Sequence, residues 1–203
     1  MVMPLVKRKS LGRHDWTEAA LEALARGGLS AVGVEPLAKE LHTTKGSFYW
    51  HFTDRNALLE ATLELWEVRD TERVIAAIDE TQDVLTRLRT LLRTAFTSTL
   101  ANAADDRGSV ELALQASAAE PVVAATLERV TRRRLAQLTQ LYTELGLNPS
   151  QARERSLLAY TAFLGHMQLA HATPDLLPRG RAFSKHVSQV VDTLVSTASR
   201  PLR

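Results

Sequence analysis

From Thr43 to Phe52 the chain reads TTKGSFYWHF, a stretch that gathers many groups able to engage a polyanion. Thr44 and Ser47 carry hydroxyls, Lys45 a cation, Tyr49 a phenol and His51 an imidazole. Gly46, lacking a side chain, lets the main chain come close to a phosphate. Phe48 and Phe52 lie four apart, so on a helix they form one apolar ridge and leave the other six facing outward. Backbone N–H groups at the start of such a helix point at anions, and the positive end of its dipole favours them. The chemistry on offer is duplex reading, with phosphate contacts and base contacts from one short helix. An ordinary amphipathic hairpin with a solvated polar face fits the spacing equally well.

The element that must hold this helix precedes it. Val34, Leu37, Ala38 and Leu41 recur at helical spacing, with Pro36 in the opening turn. The pattern predicts a short helix that ends at Leu41-His42. Glycine is the usual residue where a chain turns left-handed out of a helix, but histidine tolerates that conformation better than most. Thr43 or Thr44 then caps the second helix through its hydroxyl.

TTKGSFYWHFTDRNALLEA resembles the signature of TetR-family transcriptional regulators, in which (S/T)-K-G-(S/T)-(L/F)-Y-x-(H/Y)-F ends the DNA-binding domain. Thr44, Lys45, Gly46, Ser47, Phe48, Tyr49, His51 and Phe52 match it, and Leu37-Ala38 match the apolar-Ala pair of the preceding helix. The resemblance covers roughly residues 11 to 64. His42 departs from the family's usual Gly, Thr43 from its Val, and Gly33 from a Ser or Thr that caps the second helix. The resemblance implies an all-α protein: a three-helix head over residues 1–53 and a helical effector-binding and dimerisation domain over 54–203. It also implies DNA contacts by Thr44, Lys45, Gly46, Ser47, Tyr49 and His51.

Composition bounds the rest. Of 203 residues 45% are hydrophobic and only 5% aromatic, and the abundance of Ala and Leu favours helices. Cysteine is absent, which removes disulfides, thiolate metal sites and Cys nucleophiles. No apolar run approaches the roughly 20 residues of a membrane span, and the opening residues do not read as a secretory signal; a cytoplasmic protein with no membrane partner is expected. Net charge is +2, all of it in residues 1–55. Lys7, Arg8 and Lys9 make a basic arm able to contact phosphate or the minor groove, or merely a solubilising tail. No phosphate loop, HExxH or EF-hand pattern occurs. His166 and His171 lie five apart, off a shared helical face. No catalytic residues, metal or cofactor are expected.

Seven further helices are predicted. Asp15 starts the first, ending at Gly27-Gly28. Asp54 caps a long helix through Glu80, others begin near Asp83 and Ser109, and Pro121 opens one ending at Gly146. Asn102 to Gly108 reads as a loop. Arg132-Arg133-Arg134 fits a solvated or salt-bridged helix face better than a nucleic-acid patch, because consecutive helical residues point apart. The last two helices carry Leu157, Leu164, Phe183, Val187, Val190, Val191 and Leu194, stripes suited to a two-fold four-helix interface, or equally to packing inside one subunit. Trp66, Phe96, Gln115, Tyr160, Phe163, His166 and Met167 are candidates for a pocket taking a small apolar or aromatic effector.

The expected protein is a homodimeric repressor of a palindromic double-stranded operator, released by a small-molecule effector, and not an enzyme. An activator without effector, or a helical carrier or enzyme whose hairpin only resembles a reader, are the alternatives.

Overall fold

The computed structural model describes residues 11–78, 80–104 and 109–196, which form an all-helical chain with no strand among them. Helix α1 runs Arg13–Gly27. Its Asp15 lies inside the first turn rather than at the cap, and its carboxylate accepts the Gly12 N–H at 2.7 Å. Helices α2 (Val34–Glu40) and α3 (Lys45–Tyr49) follow. The turn between them places His42 at φ +51, the single non-glycine residue with positive φ among the described residues. The chain turns left-handed there on a residue type that tolerates it. Gly33 caps α2 without a side chain, and a Cβ there would stand 3.2 Å from the Pro36 ring. The capping Ser or Thr and this proline compete for one space.

Asp54 starts α4 (Arg55–Glu67), its carboxylate accepting the Ala57 N–H at 2.8 Å. The sequence predicts one continuous helix from here to Glu80. Instead the hydrogen-bonding pattern widens to a π-helical turn at Val68–Glu72 before α5 (Arg73–Ala76). Helical periodicity continues through such a turn, so the apolar pattern carries no mark of it. Then come α6 (Val84–Ala104), α7 (Val110–Ala116), α8 (Pro121–Glu144), α9 (Pro149–Ala172) and α10 (Arg181–Ser196). Pro121 and Pro149 occupy first-turn positions, and Ser109 and Asn148 cap with their side chains. Asn102 to Ala104, expected in a loop, belong to α6; the remainder of that stretch lies outside the described residues.

Two cores hold the molecule. One unites α1 to α4 around Trp16, Leu24, Leu37, Phe48, Phe52, Leu58 and Trp66 and continues into Leu114, Val123, Leu127 and Val130 of α7 and α8. The head therefore shares apolar packing with the body. The other joins α6, α8, α9 and α10 around Leu88, Phe96, Leu141, Tyr142, Tyr160, Phe183, Val187, Val191 and Leu194. The three consecutive arginines of α8 diverge to Glu128, Glu72 and Glu111, the first two pairs on the surface and the third buried. No described helix is long and apolar enough to cross a membrane.

Candidate DNA-reading head and effector cavity

Thr44 caps α3 by accepting the Ser47 N–H at 3.3 Å. Phe48 is fully buried, edge-on to Trp16 at 5.3 Å and stacked on Phe52 at 5.5 Å. Locking this ridge inward leaves Thr44, Lys45, Gly46 and Tyr49 exposed and Ser47 half-buried. Lys45 meets Glu35 of α2 in an exposed ion pair, which holds little free energy and yields readily to another anion. His51 behaves differently. Its Nε2 donates to the Leu11 carbonyl at 3.0 Å, while its own carbonyl accepts Arg13 Nη1 at 2.9 Å. With the Arg13 guanidinium 4.2 Å from the Phe52 ring centre, His51 ties the end of the reading element to the start of α1. Lys7, Arg8 and Lys9 lie outside the described residues.

Sequence reasoning missed Trp50. It is 87% exposed beside Tyr49 at 62%, so two aromatic rings stand in water next to the Lys45 ammonium and the Thr44 and Ser47 hydroxyls. An apolar side chain is expected inside by default; its neighbours Phe48 and Phe52 occupy the inward direction, and that alone could have placed Trp50 outside.

The second site is a cavity of about 530 Å³. Its floor is α1 itself, through Leu21, Glu22 and Ala25. The π-turn and α5 add Arg69, Asp70, Thr71, Val74 and Ile75, and α6 to α9 complete the wall. Among the expected effector residues, Phe96, Tyr160, Phe163 and Met167 line it. Phe163 sits between the other two rings, edge-on to Phe96 at 6.3 Å and stacked on Tyr160 at 6.2 Å. The other three do not line it. Trp66 is fully buried in the core with its indole against Arg134. Gln115 lies exposed on α7, its amide 3.5 Å from Glu111. His166 is packed among Phe96, Phe183 and a stacked His186. Its Nε2 is buried without a partner, and burial, then His186, lowers its pKa below the ordinary histidine value.

A polar cluster that the sequence did not foretell crosses the cavity wall. Arg134 reaches Glu111 at 2.6 Å and the Thr71 hydroxyl at 2.9 Å. Burial works against the charge of Arg134, but Glu111 outweighs it and the guanidinium pKa rises. The Tyr160 hydroxyl sits 3.2 Å from Thr131, and burial, aided by Glu111, raises its pKa. Asp70 opens onto the cavity; desolvation raises its pKa against the pull of Arg69 and Arg134.

The residues expected at a dimer interface divide. Phe183, Val187, Val191 and Leu194 are at most 8% exposed and turned into the subunit's own second core, the packing within one subunit that the stripe equally allowed. The apolar stripe shows that a face is covered; here α6 and α9 cover it. Leu164 and Val190 are half-buried. The open apolar residues of α9 are Leu157, Leu158 and Leu169, at 55%, 48% and 46% exposure.

A helix-turn-helix head is joined here through a π-turn to a helical body that holds a cavity. Residues 17–62 match the family profile described as bacterial regulatory proteins, tetR family. The chain superposes on a transcriptional regulator from Rhodococcus sp. Rha1 with a TM-score of 0.74 and 16% identity, over 93% of this chain and 96% of that one. AibR, solved in complex with isovaleryl coenzyme A and operator DNA, gives 0.67 and 16% over 90% and 97%. The regulator FadR from Bacillus subtilis, in complex with stearoyl-CoA, gives 0.68 and 18% over 90% and 97%. No curated protein is significantly similar in sequence. Residues 17–62 thus carry the DNA-binding domain of the tetR family, and the chain as a whole has the fold of solved regulators of that kind.

Proposed function

We propose that this regulator binds a palindromic operator as a homodimer, represses transcription, and is released by a small-molecule effector. The observation that carries the reading is the exposed Thr44–Tyr49 surface on a head whose α1 also floors the cavity. Thr44, Lys45, Ser47 and Tyr49 make the phosphate and base contacts, with Trp50 beside them, and His51 serves mainly to fix the head. Two heads in successive major grooves set half-sites about 34 Å apart. Phosphate contacts supply most of the affinity, so binding weakens steeply with salt. Lys45→Ala is expected to weaken binding to every duplex and to lower the salt slope by about one. Gel shifts on an operator selected from a random pool, repeated across salt concentrations, measure this; an unchanged slope removes Lys45 from the phosphate contacts.

Release follows from linkage. An effector lowers DNA affinity only by preferring a head spacing that misfits the operator, and coupling of about 1–3 kcal/mol is usual. Leu21 and Ala25 on the cavity floor belong to the helix against which Phe48 packs the reader through Trp16. A guest that shifts α1 therefore shifts α3. Two proteins of the same fold hold acyl-coenzyme A ligands, which supports a small-molecule effector here.

Pairing of subunits rests on α9. Leu157, Leu158 and Leu169 flank Gly165, where an added Cβ would meet nothing within 4 Å. A two-fold copy buries this face and lets the backbones approach. Leu158→Glu is expected to yield a folded monomer in sedimentation velocity, with operator binding lost; a variant that remains dimeric places the interface elsewhere.

A further inference from the structure

We propose that the effector is an organic cation, its ammonium group held at Asp70 and its apolar body among Phe96, Tyr160 and Phe163. This rests on the cavity being the effector site. The charges around the Asp70 end decide the sign. Glu22 pairs with Arg26 at 3.6 Å, Arg69 with Glu18 at 3.5 Å, and Arg134 with Glu111 at 2.6 Å. Asp70 has no ion-pair partner among the described residues, although it shares the wall with all of these. One carboxylate is thus left over on a wall whose buried cation, Arg134, is held by Glu111, while Arg69 is paired at the exposed rim. A carboxylate guest would face Asp70 and Glu111 together, with Arg134 already neutralised and only the rim cation Arg69 to offset the repulsion. A cation meets a waiting counter-charge there. Three aromatic rings on α6 and α9 add faces that attract ammonium groups.

The backbone supports the placement. Arg69, Asp70 and Thr71, three successive residues, all reach the cavity. They do so from the π-helical turn, a wider turn that recurs at binding sites. Burial raises the Asp70 pKa despite the pull of Arg69 and Arg134, and a guest cation beside it would favour the ionised form.

Three molecules of one skeleton test the assignment: phenylbutylamine, phenylbutanol and phenylbutyrate, titrated calorimetrically into the full-length protein. The amine is expected to bind about tenfold more tightly than the alcohol, and the carboxylate more weakly than both. Asp70→Asn should remove the preference for the amine and leave the alcohol's affinity unchanged. An amine preference that survives Asp70→Asn, or a carboxylate that binds as tightly as the amine, overturns the cation assignment while the cavity stands. If none of the three binds, the cavity reading falls, and this inference with it.

Discussion

Phe48→Ala is expected to destabilise the head by about 3–5 kcal/mol, the range for truncating a buried phenylalanine, and to reduce operator binding by at least tenfold. The ring is fully buried and meets Trp16, Tyr49 and Phe52 within 5.5 Å. Removing it leaves a void between α1 and α3 that neither short helix can close, because α2 spans seven residues and α3 five. Helices of that length have no stability of their own in water. They persist only while the ridge is docked. The second core contains no residue of the head, so the variant should keep most of its helical circular dichroism. Loss should concentrate in amide-exchange protection of residues 34–52. Phe48→Leu, which keeps much of the volume, should cost under about 1.5 kcal/mol and retain DNA binding. Wild-type protection across α2 and α3 in the alanine variant would show that the ridge does not hold the reader.

That ridge was legible in the sequence because its signals are local. Phe48 and Phe52 are four apart, Thr44 sits one residue before the helix, and His42 occupies a turn that needs a tolerant residue. Each relation is fixed within a few positions, where backbone geometry leaves few choices. Asp54 and Pro121 worked for the same reason. The features that escaped depend on distant partners or leave no compositional trace. Arg134 finds Glu111 across 23 residues of sequence, and within the triplet Arg132 to Arg134 nothing distinguishes the one that turns inward. The stripe on α10 shows that the helix buries a face but not whose surface covers it. The π-turn changes a hydrogen-bonding register and no residue type. Trp50 was given no direction in the sequence, although Phe48 and Phe52 had already taken the inward one.

The Arg134–Glu111 pair sets up the second large effect. Glu111→Ala is expected to destabilise the protein by about 3 kcal/mol, the lower end of the range for removing one partner of a buried pair. Side-chain exposure is 14% for Arg134 and 7% for Glu111, so water screens the orphaned guanidinium poorly. Thr71 and the nearby Asp70 remain to soften the loss, hence the lower end. For a chain of this length the melting temperature should fall by roughly 6–12 °C. Much of that cost is the stranded charge rather than the bond itself. The double variant Glu111→Leu with Arg134→Met removes both charges at similar volume and should recover most of the stability. It should not recover the coupling between cavity and DNA. Arg134 reaches the π-turn through Thr71, so without it the turn between head and body loses its buried anchor to α8 and keeps only the exposed Arg133–Glu72 pair. Effector release of the operator should then weaken while operator affinity alone holds. Equal melting temperatures for wild type and Glu111→Ala would mean that the pair contributes nothing. A double variant that still releases DNA normally would place the coupling on another path through α1.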